Sequence, residues 1–221
     1  MKAELHCHTR EGSLCGKLPS SEVVALYQKA GYDALVITNH FNMENLDVFS
    51  GSYHDKVNQW LDGYRLAREA GERCGVKVIF GLEARNTVNF NDYLIYGITP
   101  EEILQCNNLC LMPLEEIKKV CASLNAVLIQ AHPFRSWCTP APAELLDGVE
   151  VINANPRHDS HNELAKEFAD NNPQFIRIAG SDFHWAEDLN RAYVTFPELP
   201  ETEKSLAEIL RRGRFSYTIN V

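Results

Sequence analysis

Residues 1 to 221 contain no apolar run near the length of a membrane span, so a transmembrane helix is not expected. The first residues lack the basic and then apolar order of a secretory leader, which points to a cytoplasmic protein. Repeats, low-complexity tracts and linker-like runs are missing, and the twelve glycines and ten prolines are spread out, so one domain over residues 1–221 is expected. Basic residues are outnumbered, 21 against 30, and the net charge of −9 disfavours a nucleic-acid backbone as partner while leaving room for a small anion held by cations. The seven cysteines are odd in number and scattered, which fits reduced thiols; Cys106 and Cys110 form a C-x3-C pair without a second pair at zinc-finger spacing.

What the chain does have is an alternation of amphipathic stretches and short apolar runs. "SSEVVALYQKAG" has helical spacing, with Ser21 as the expected N-cap and Gly31 as the stop, and "DALVIT" after it reads as a buried strand. The same order returns in "VNQWLDGYRLAREAGERCG" then "VKVIFGLE", "PLEEIKKVCASLN" then "AVLIQAH", "AELLDG" then "VEVINA", and "HNELAKEFADNN" then "QFIRIAGSD". A last strand "AYVTF" precedes the helical "ETEKSLAEILRRG". Repeated units of this kind predict an α/β fold with a parallel sheet under helices, and so many of them predict a barrel.

In such barrels reactive groups gather where the strands end. Followed to their ends, the apolar runs deliver His6 and His8, His40, Glu83, His132, then Asp182 and His184. Eight histidines in 221 residues would give roughly 0.3 H-x-H matches by accident, so "ELHCHT" alone says little; the joint pattern carries the inference. At i and i+2, His6 and His8 are expected on one strand face, as are Asp182 and His184. Imidazole and carboxylate donors suit Zn²⁺, Mn²⁺ or Fe²⁺ in an open site, where such ions lower the pKa of bound water to give a hydroxide nucleophile and clamp phosphoryl oxygens. His54, His158 and His161 fall in expected loops or helix starts, where surface histidines are common.

"ELHCHT", "ITNHF", "GLEA", "AHPF", "GVEVINA" and "GSDFH", in this order, resemble the motifs of the polymerase and histidinol phosphatase (PHP) family from residue 3 to about 185. The resemblance implies a distorted (β/α)7 barrel with two or three divalent ions that acts on phosphoesters. It assigns His6, His8, Glu83 and Asp182 to a first ion, Glu83 and His132 to a second, and His40 and His184 to a third. Three positions depart from the pattern. Cys15 stands in the place of a third-site ligand, Asp92 and Tyr93 stand where many members carry a histidine, and Asn39 replaces an acidic residue before His40, a change expected to loosen the orientation of a neighbouring ligand.

Arginine forks suit phosphate oxygens, which makes Arg135 and Arg157 the expected substrate-phosphate ligands, ahead of Arg10 and Lys17. Glu83 and Asp182 would serve the reaction through the ions, and His158 or His184 would protonate the leaving oxygen. The expected activity is hydrolysis of a small phosphorylated metabolite, a phosphomonoester before a phosphodiester. An exonuclease-like phosphodiesterase and a non-catalytic metal- or partner-binding module are the other readings. Specificity would rest on loops 41–58, 85–92 and 134–142, where Phe41, Phe49, Tyr53, Phe90, Phe134 and Trp137 could stack a ring or anchor a loop. Nothing in the sequence reads out the oligomeric state.

Overall fold

The structure, a computed structural model, describes residues 1–220. Strand β1 (Lys2–Cys7) leads through helix α1 (Ser20–Lys29) to β2 (Ala34–Ile37) and the two-residue β3 (His40–Phe41). Helices α2 (Met43–Leu46), α3 (Tyr53–Trp60) and α4 (Asp62–Cys74) precede β4 (Lys77–Arg85), which turns directly into β5 (Asp92–Tyr96). Then come α5 (Pro100–Gln105), α6 (Leu114–Ser123), β6 (Val127–Gln130), β7 (Gly148–Asn153), α7 (Asn162–Asp170) and β8 (Ile176–Gly180). The chain finishes with β9 (Ala192–Thr195), α8 (Glu203–Arg212) and β10 (Ser216–Ile219).

Seven strands, in the order β1-β2-β4-β5-β6-β7-β8, make a nearly closed barrel, with β3 extending it beside the end of β4. The gap between β8 and β1 narrows where Phe183 bridges to Cys7, Phe183 N donates to the His6 carbonyl (3.0 Å) and His8 N to the Phe183 carbonyl (2.9 Å). Strands β9 and β10 lie outside this ring, β9 antiparallel to the start of β1 and β10 antiparallel to β9.

The expected barrel is therefore present, but its sheet is not wholly parallel: β5 runs antiparallel to both β4 and β6. Only six residues join β4 to β5, too few for the crossover that a parallel neighbour needs. Asparagines build that turn, Asn86 Oδ1 accepting from Val88 and Asn89 N, and Asn89 Oδ1 from Asn91 N. Smaller corrections have equally local causes. The N-cap of α1 is Pro19 and not Ser21, with the Glu11 carboxylate accepting from Ser20 N. The long helix expected over 57–75 divides after Trp60, where Gly63 packs so close to Gly12 and Asn39 that a Cβ would lie 2.7 Å from Asn39 Nδ2. "AELLDG" forms a single 3-10 turn, Ala143–Leu145, behind Pro140 and Pro142. Strand β10 has no counterpart in the sequence reading.

Side-chain alternation gives the barrel two levels. Leu5, Val36, Ile79, Leu94, Tyr96, Val127, Ile129 and Ile178 fill the lower interior with Leu206, Ala207 and Leu210 of α8, which seals the bottom. The opposite face of each strand packs under the helices through Leu35, Ile37, Phe80, Leu82, Ile95 and Leu128, among others. Continued upward, the inward positions become ionisable: Ile79 leads by steps of two through Gly81 to Glu83, and Ile178 through Gly180 to Asp182. In β1 the register against β2 slips between Glu4 and Cys7, so the inward line passes from Ala3 and Leu5 to His6. The buried Glu4 carboxylate braces the slip by accepting from Leu5 N, His6 N and Ser181 N, each at 3.0 Å, and from Tyr27 Oη at 3.1 Å.

Candidate metal centre

His6, His8, Glu83, His132 and Asp182 are fully or almost fully buried at the upper end of the barrel, and His40 and His184 are partly buried above them. Glu83 is the hub. Its Oε1 lies 3.3 Å from His6 Nε2 and 3.1 Å from His132 Nε2; its Oε2 lies 3.3 Å from His8 Nε2 and 2.7 Å from His40 Nδ1. Asp182 Oδ1 is 3.3 Å from His6 Nε2 and 3.5 Å from His8 Nε2.

The imidazoles are held from behind in a consistent way. His6 Nδ1 donates to Glu150 Oε1 (2.8 Å), and His184 Nδ1 to the Asp182 carbonyl (2.9 Å). His8 Nδ1 donates to Ser13 Oγ (3.1 Å), whose own proton goes to Asn39 Oδ1 (3.1 Å). In each case the proton held on Nδ1 turns Nε2 inward, so that the neutral ring presents its Nε2 lone pair to the centre. Asn39 thus takes part in orienting a ligand, through Ser13, where a loosening was expected.

Apart from the bond between His132 Nε2 and Glu83 Oε1, the ligand atoms are close without being hydrogen-bonded. His6 Nε2, His8 Nε2, His40 Nδ1 and Glu83 Oε2 are buried and have no hydrogen-bond partner among the described residues. Orphaned polar atoms are costly in a protein interior, and four converging on one small volume fit a bound cation. The donors group as His6, His8 and Asp182; as His6, Glu83 and His132; as His8, His40 and His184; as Asp92, His132 and Cys138; and as His40, Glu83 and Asp92.

Electrostatics agree. Burial works against charge on Glu83 and Asp182, yet the facing histidines, with Arg135 beside Asp182, hold both carboxyls well below the usual range. Burial also opposes a proton on His6 and on His40, and the surrounding carboxylates outweigh it and lift both well above 6.5. His8 goes the other way, pushed well below 6.5 by burial and by His184 and His40. Cys15 lies beside His184 and His40; burial would raise its thiol, and their hydrogen bonds bring it down to about 6.

The reading of Asp182 and His184 as strand neighbours needs correcting, because β8 stops at Gly180. Asp182 has φ +50°, and His132 φ +28°, left-handed backbone that costs a non-glycine residue about 1–3 kcal/mol. Tertiary bonds hold Asp182 there: Asn155 Nδ2 donates to its carbonyl at 2.9 Å and Arg135 Nη2 to its Oδ2 at 2.6 Å.

A cleft of about 360 Å³ opens over the cluster, lined by Cys15, Lys17, Arg85, Arg157, His158 and Trp185 among others. Arg135 also reaches it, but its Nη2 is committed to Asp182 and to Asn153 Oδ1 (2.6 Å). Arg157 makes a fork on Asp188 (2.6 and 2.7 Å) and lies 4.5 Å over the Trp185 ring. Exposed His158 packs edge-on to Trp137 (5.1 Å). Of the aromatic residues singled out in the loops only Trp137 lines the cleft; Phe41 is core, Phe49 and Tyr53 pack against the core, and Phe134 packs edge-on to Phe168. Arg10 is absent from the lining, and His54 and His161 lie outside it.

Sequence reasoning missed Glu150, Arg85 and Trp185. Glu150 had a signal, a lone carboxylate inside the apolar run "GVEVIN". Arg85 had the i+2 spacing from Glu83 on the same strand, and Trp185 had none, since only the fold turns it toward the cleft.

A family model described as PHP domain matches residues 4–188. No curated protein matches the sequence. Among solved structures, a two-domain protein of Bacteroides vulgatus containing a predicted PHP-like metal-dependent phosphoesterase superposes with a TM-score of 0.71 at 18% identity, over 99% of this chain and 64% of that one. PsfC of Pseudomonas syringae gives 0.69 at 16%, over 100% and 91%. The lesion-specific endonuclease Q of Pyrococcus furiosus gives 0.60 at 14%, over 99% and 57%. The chain thus spans less than two thirds of the first and third of these proteins, and at such identities what is shared is the fold.

Proposed function

The chain belongs to the PHP domain family, and from that footing we propose that it is a metal-dependent phosphoesterase that hydrolyses a small phosphorylated metabolite, a monoester before a diester. The observation that carries this is the set of four buried, unpartnered donor atoms beneath a cleft edged by Lys17, Arg85, Arg135 and Arg157. His6, His8, Glu83 and Asp182 would hold one ion. His40 and His184, with His8 and Cys15 beside them, would hold another. Nitrogen and carboxylate oxygen donors suit zinc, manganese or iron. When bound, such ions supply Lewis acidity, lowering the pKa of water and neutralising phosphoryl oxygens.

The chain's own residues supply orientation and proton transfer. Arg135 fixes the carboxylate of Asp182 and Glu150 fixes the ring of His6, so both ligands meet the substrate already oriented. Arg157, held in place by its fork on Asp188 and by Trp185, offers the phosphate the N–H groups that Asp188 does not engage. His184 is turned to the Asp182 carbonyl and stacked on His8 at 4.1 Å, so the proton for the leaving oxygen falls to His158, which faces the cleft without an ion pair among the described residues. A monoester is favoured because the cleft is small and the protein acidic.

Elemental mass spectrometry, with turnover of p-nitrophenyl phosphate by chelated protein resupplied with Mn²⁺, Zn²⁺ or Fe²⁺, tests the proposal. Two ions per chain and metal-dependent turnover are expected, with turnover lost in Asp182→Ala while circular dichroism is unchanged. No turnover with any metal would favour a binding module. Cleavage of lesion-bearing duplex in preference to monoesters would favour a nuclease, the reading that the likeness to endonuclease Q keeps in play.

A further inference from the structure

The unpartnered donor atoms are not spread evenly around the cluster. His6 Nε2, His8 Nε2, His40 Nδ1 and Glu83 Oε2 lie on the side formed by β1, β3 and β4. On the side of β5 and β6, where the family resemblance would place a second ion between Glu83 and His132, the donors are already satisfied. His132 Nε2 is hydrogen-bonded to Glu83 Oε1 at 3.1 Å, and its Nδ1 faces Cys138 Sγ at 3.7 Å. Asp92, which stands where many relatives carry a histidine, has both oxygens engaged, one by Arg85 Nε (2.7 Å) and the other by Arg85 Nη2 (2.6 Å). This differs from Asp182, where Arg135 takes one oxygen and leaves the other facing the histidines. Asp92, His132 and Cys138 stand close enough to offer one ligand atom each, but with both Asp92 oxygens held by Arg85 and His132 Nε2 held by Glu83 this set fits an ion less well than the first.

We propose that Arg85 occupies the role of the second cation: its guanidinium, braced by Asp92, binds phosphoryl oxygens of the substrate directly, and the chain works with two ions instead of three. Three features support this. Arg85 follows Glu83 by two residues on β4, so it shares the inward line, and its register partner across the hairpin is Asp92. Asp92 Oδ2 lies 3.9 Å from His132 Nε2, which puts the braced guanidinium at the border of the second-ion position. Arg85 is about one third exposed and lines the cleft, and among the described residues its Nη1 makes no hydrogen bond, leaving a donor for an anion. Because Asp92 takes Nε and one proton of Nη2, the pair offers the directed N–H groups at the Nη1 end of the guanidinium more than net charge, which suits hydrogen bonds to phosphate oxygens.

The substrate part of this inference rests on the phosphoesterase reading, but its test does not need turnover. Metal content of Mn²⁺-loaded protein is measured by elemental mass spectrometry, and binding of inorganic phosphate to the same protein by calorimetry, for the wild type, Arg85→Gln and Arg85→Lys. Two ions in all three proteins are expected. Phosphate should bind about tenfold or more weakly in Arg85→Gln, as loss of a hydrogen bond to a charged group implies, with Arg85→Lys in between. Should Arg85→Gln fail to fold, Arg85→Lys decides alone: weaker phosphate binding supports the proposal and unchanged binding overturns it. Three ions in the wild type would overturn the proposal by showing Asp92 and His132 to be ligands. Unchanged phosphate affinity in both variants would overturn it by making the pair a strand clasp. Arg85-dependent phosphate binding without turnover would sink only the phosphoesterase reading.

Discussion

Glu150 is 0% exposed and carries no cleft contact, yet it touches both halves of the centre. Its Oε1 fixes the proton on His6 Nδ1, and its Oε2 accepts from His132 N at 3.1 Å and Asn153 Nδ2 at 2.9 Å. Glu150→Gln keeps the size and removes the charge that orients His6, so metal affinity should fall about 10–100-fold; competition with a fluorescent chelator measures it, and an unchanged affinity would remove Glu150 from the centre. His158 makes a sharper claim about chemistry. If it protonates the leaving oxygen, His158→Asn should cut turnover of an alkyl phosphate by about 10²-fold. Turnover of p-nitrophenyl phosphate, whose leaving group departs without a proton, should change little. Equal losses on both substrates would assign His158 to binding.

Two devices at the level of strands bring these residues to one place. The slipped register in β1 turns His6 inward, and Gly180 of β8 lets the two strands approach. A Cβ at Gly180 would fall 2.5 Å from His6 Cβ and 2.9 Å from Glu150 Oε1. Gly180→Ala should therefore cost about 1–3 kcal/mol through overpacking and weaken metal binding at the same time, because the displaced group is His6. Gly213→Ala is the control. It meets nothing within 4 Å, and its φ of +63° strains only the end of α8, so it should lower the melting temperature without touching metal affinity. If both variants behave alike, the close approach at Gly180 is not what positions His6. The β4–β5 hairpin is the second device. It reverses the chain so that Asp92, at the start of its strand, reaches the rim that other strands reach at their ends.

For the molecule as a whole, the buried centre makes stability depend on pH and on metal together. In the metal-free protein His6 and His40 have pKa values raised well above 6.5. Their contribution is complete below the unfolded value of about 6.5 and is lost as pH rises through the raised folded values. Metal loading requires these imidazoles neutral, so it must expel protons at low pH and need not do so at high pH. The gap in melting temperature between loaded and chelated protein should widen from pH 6 to pH 8.5. With free metal at 100 times its dissociation constant, the added stability is about 2.7 kcal/mol. A gap that narrows with pH would mean that His6 and His40 are not ligands. The net charge of −9 belongs to the same scale, since it sets the sign of the field around the molecule, while Lys17, Arg85, Arg135 and Arg157 place positive groups at the cleft.

Alternation of helices and apolar strands was legible in the sequence, and so was the supply of His6, His8, His40, Glu83, His132, Asp182 and His184 near the strand ends, because side-chain periodicity is written in residues two to four apart. Those seven do converge. Tertiary structure alone decided that β5 runs backwards, that Asp182 leaves the strand with a left-handed backbone, and that each arginine of the cleft is matched to one aspartate, Arg85 to Asp92, Arg135 to Asp182 and Arg157 to Asp188. Strand direction follows from loop length and register, and ion pairs from which strands become neighbours. These are contacts between residues 7 to 47 positions apart, for which no local pattern in the chain provides a signal.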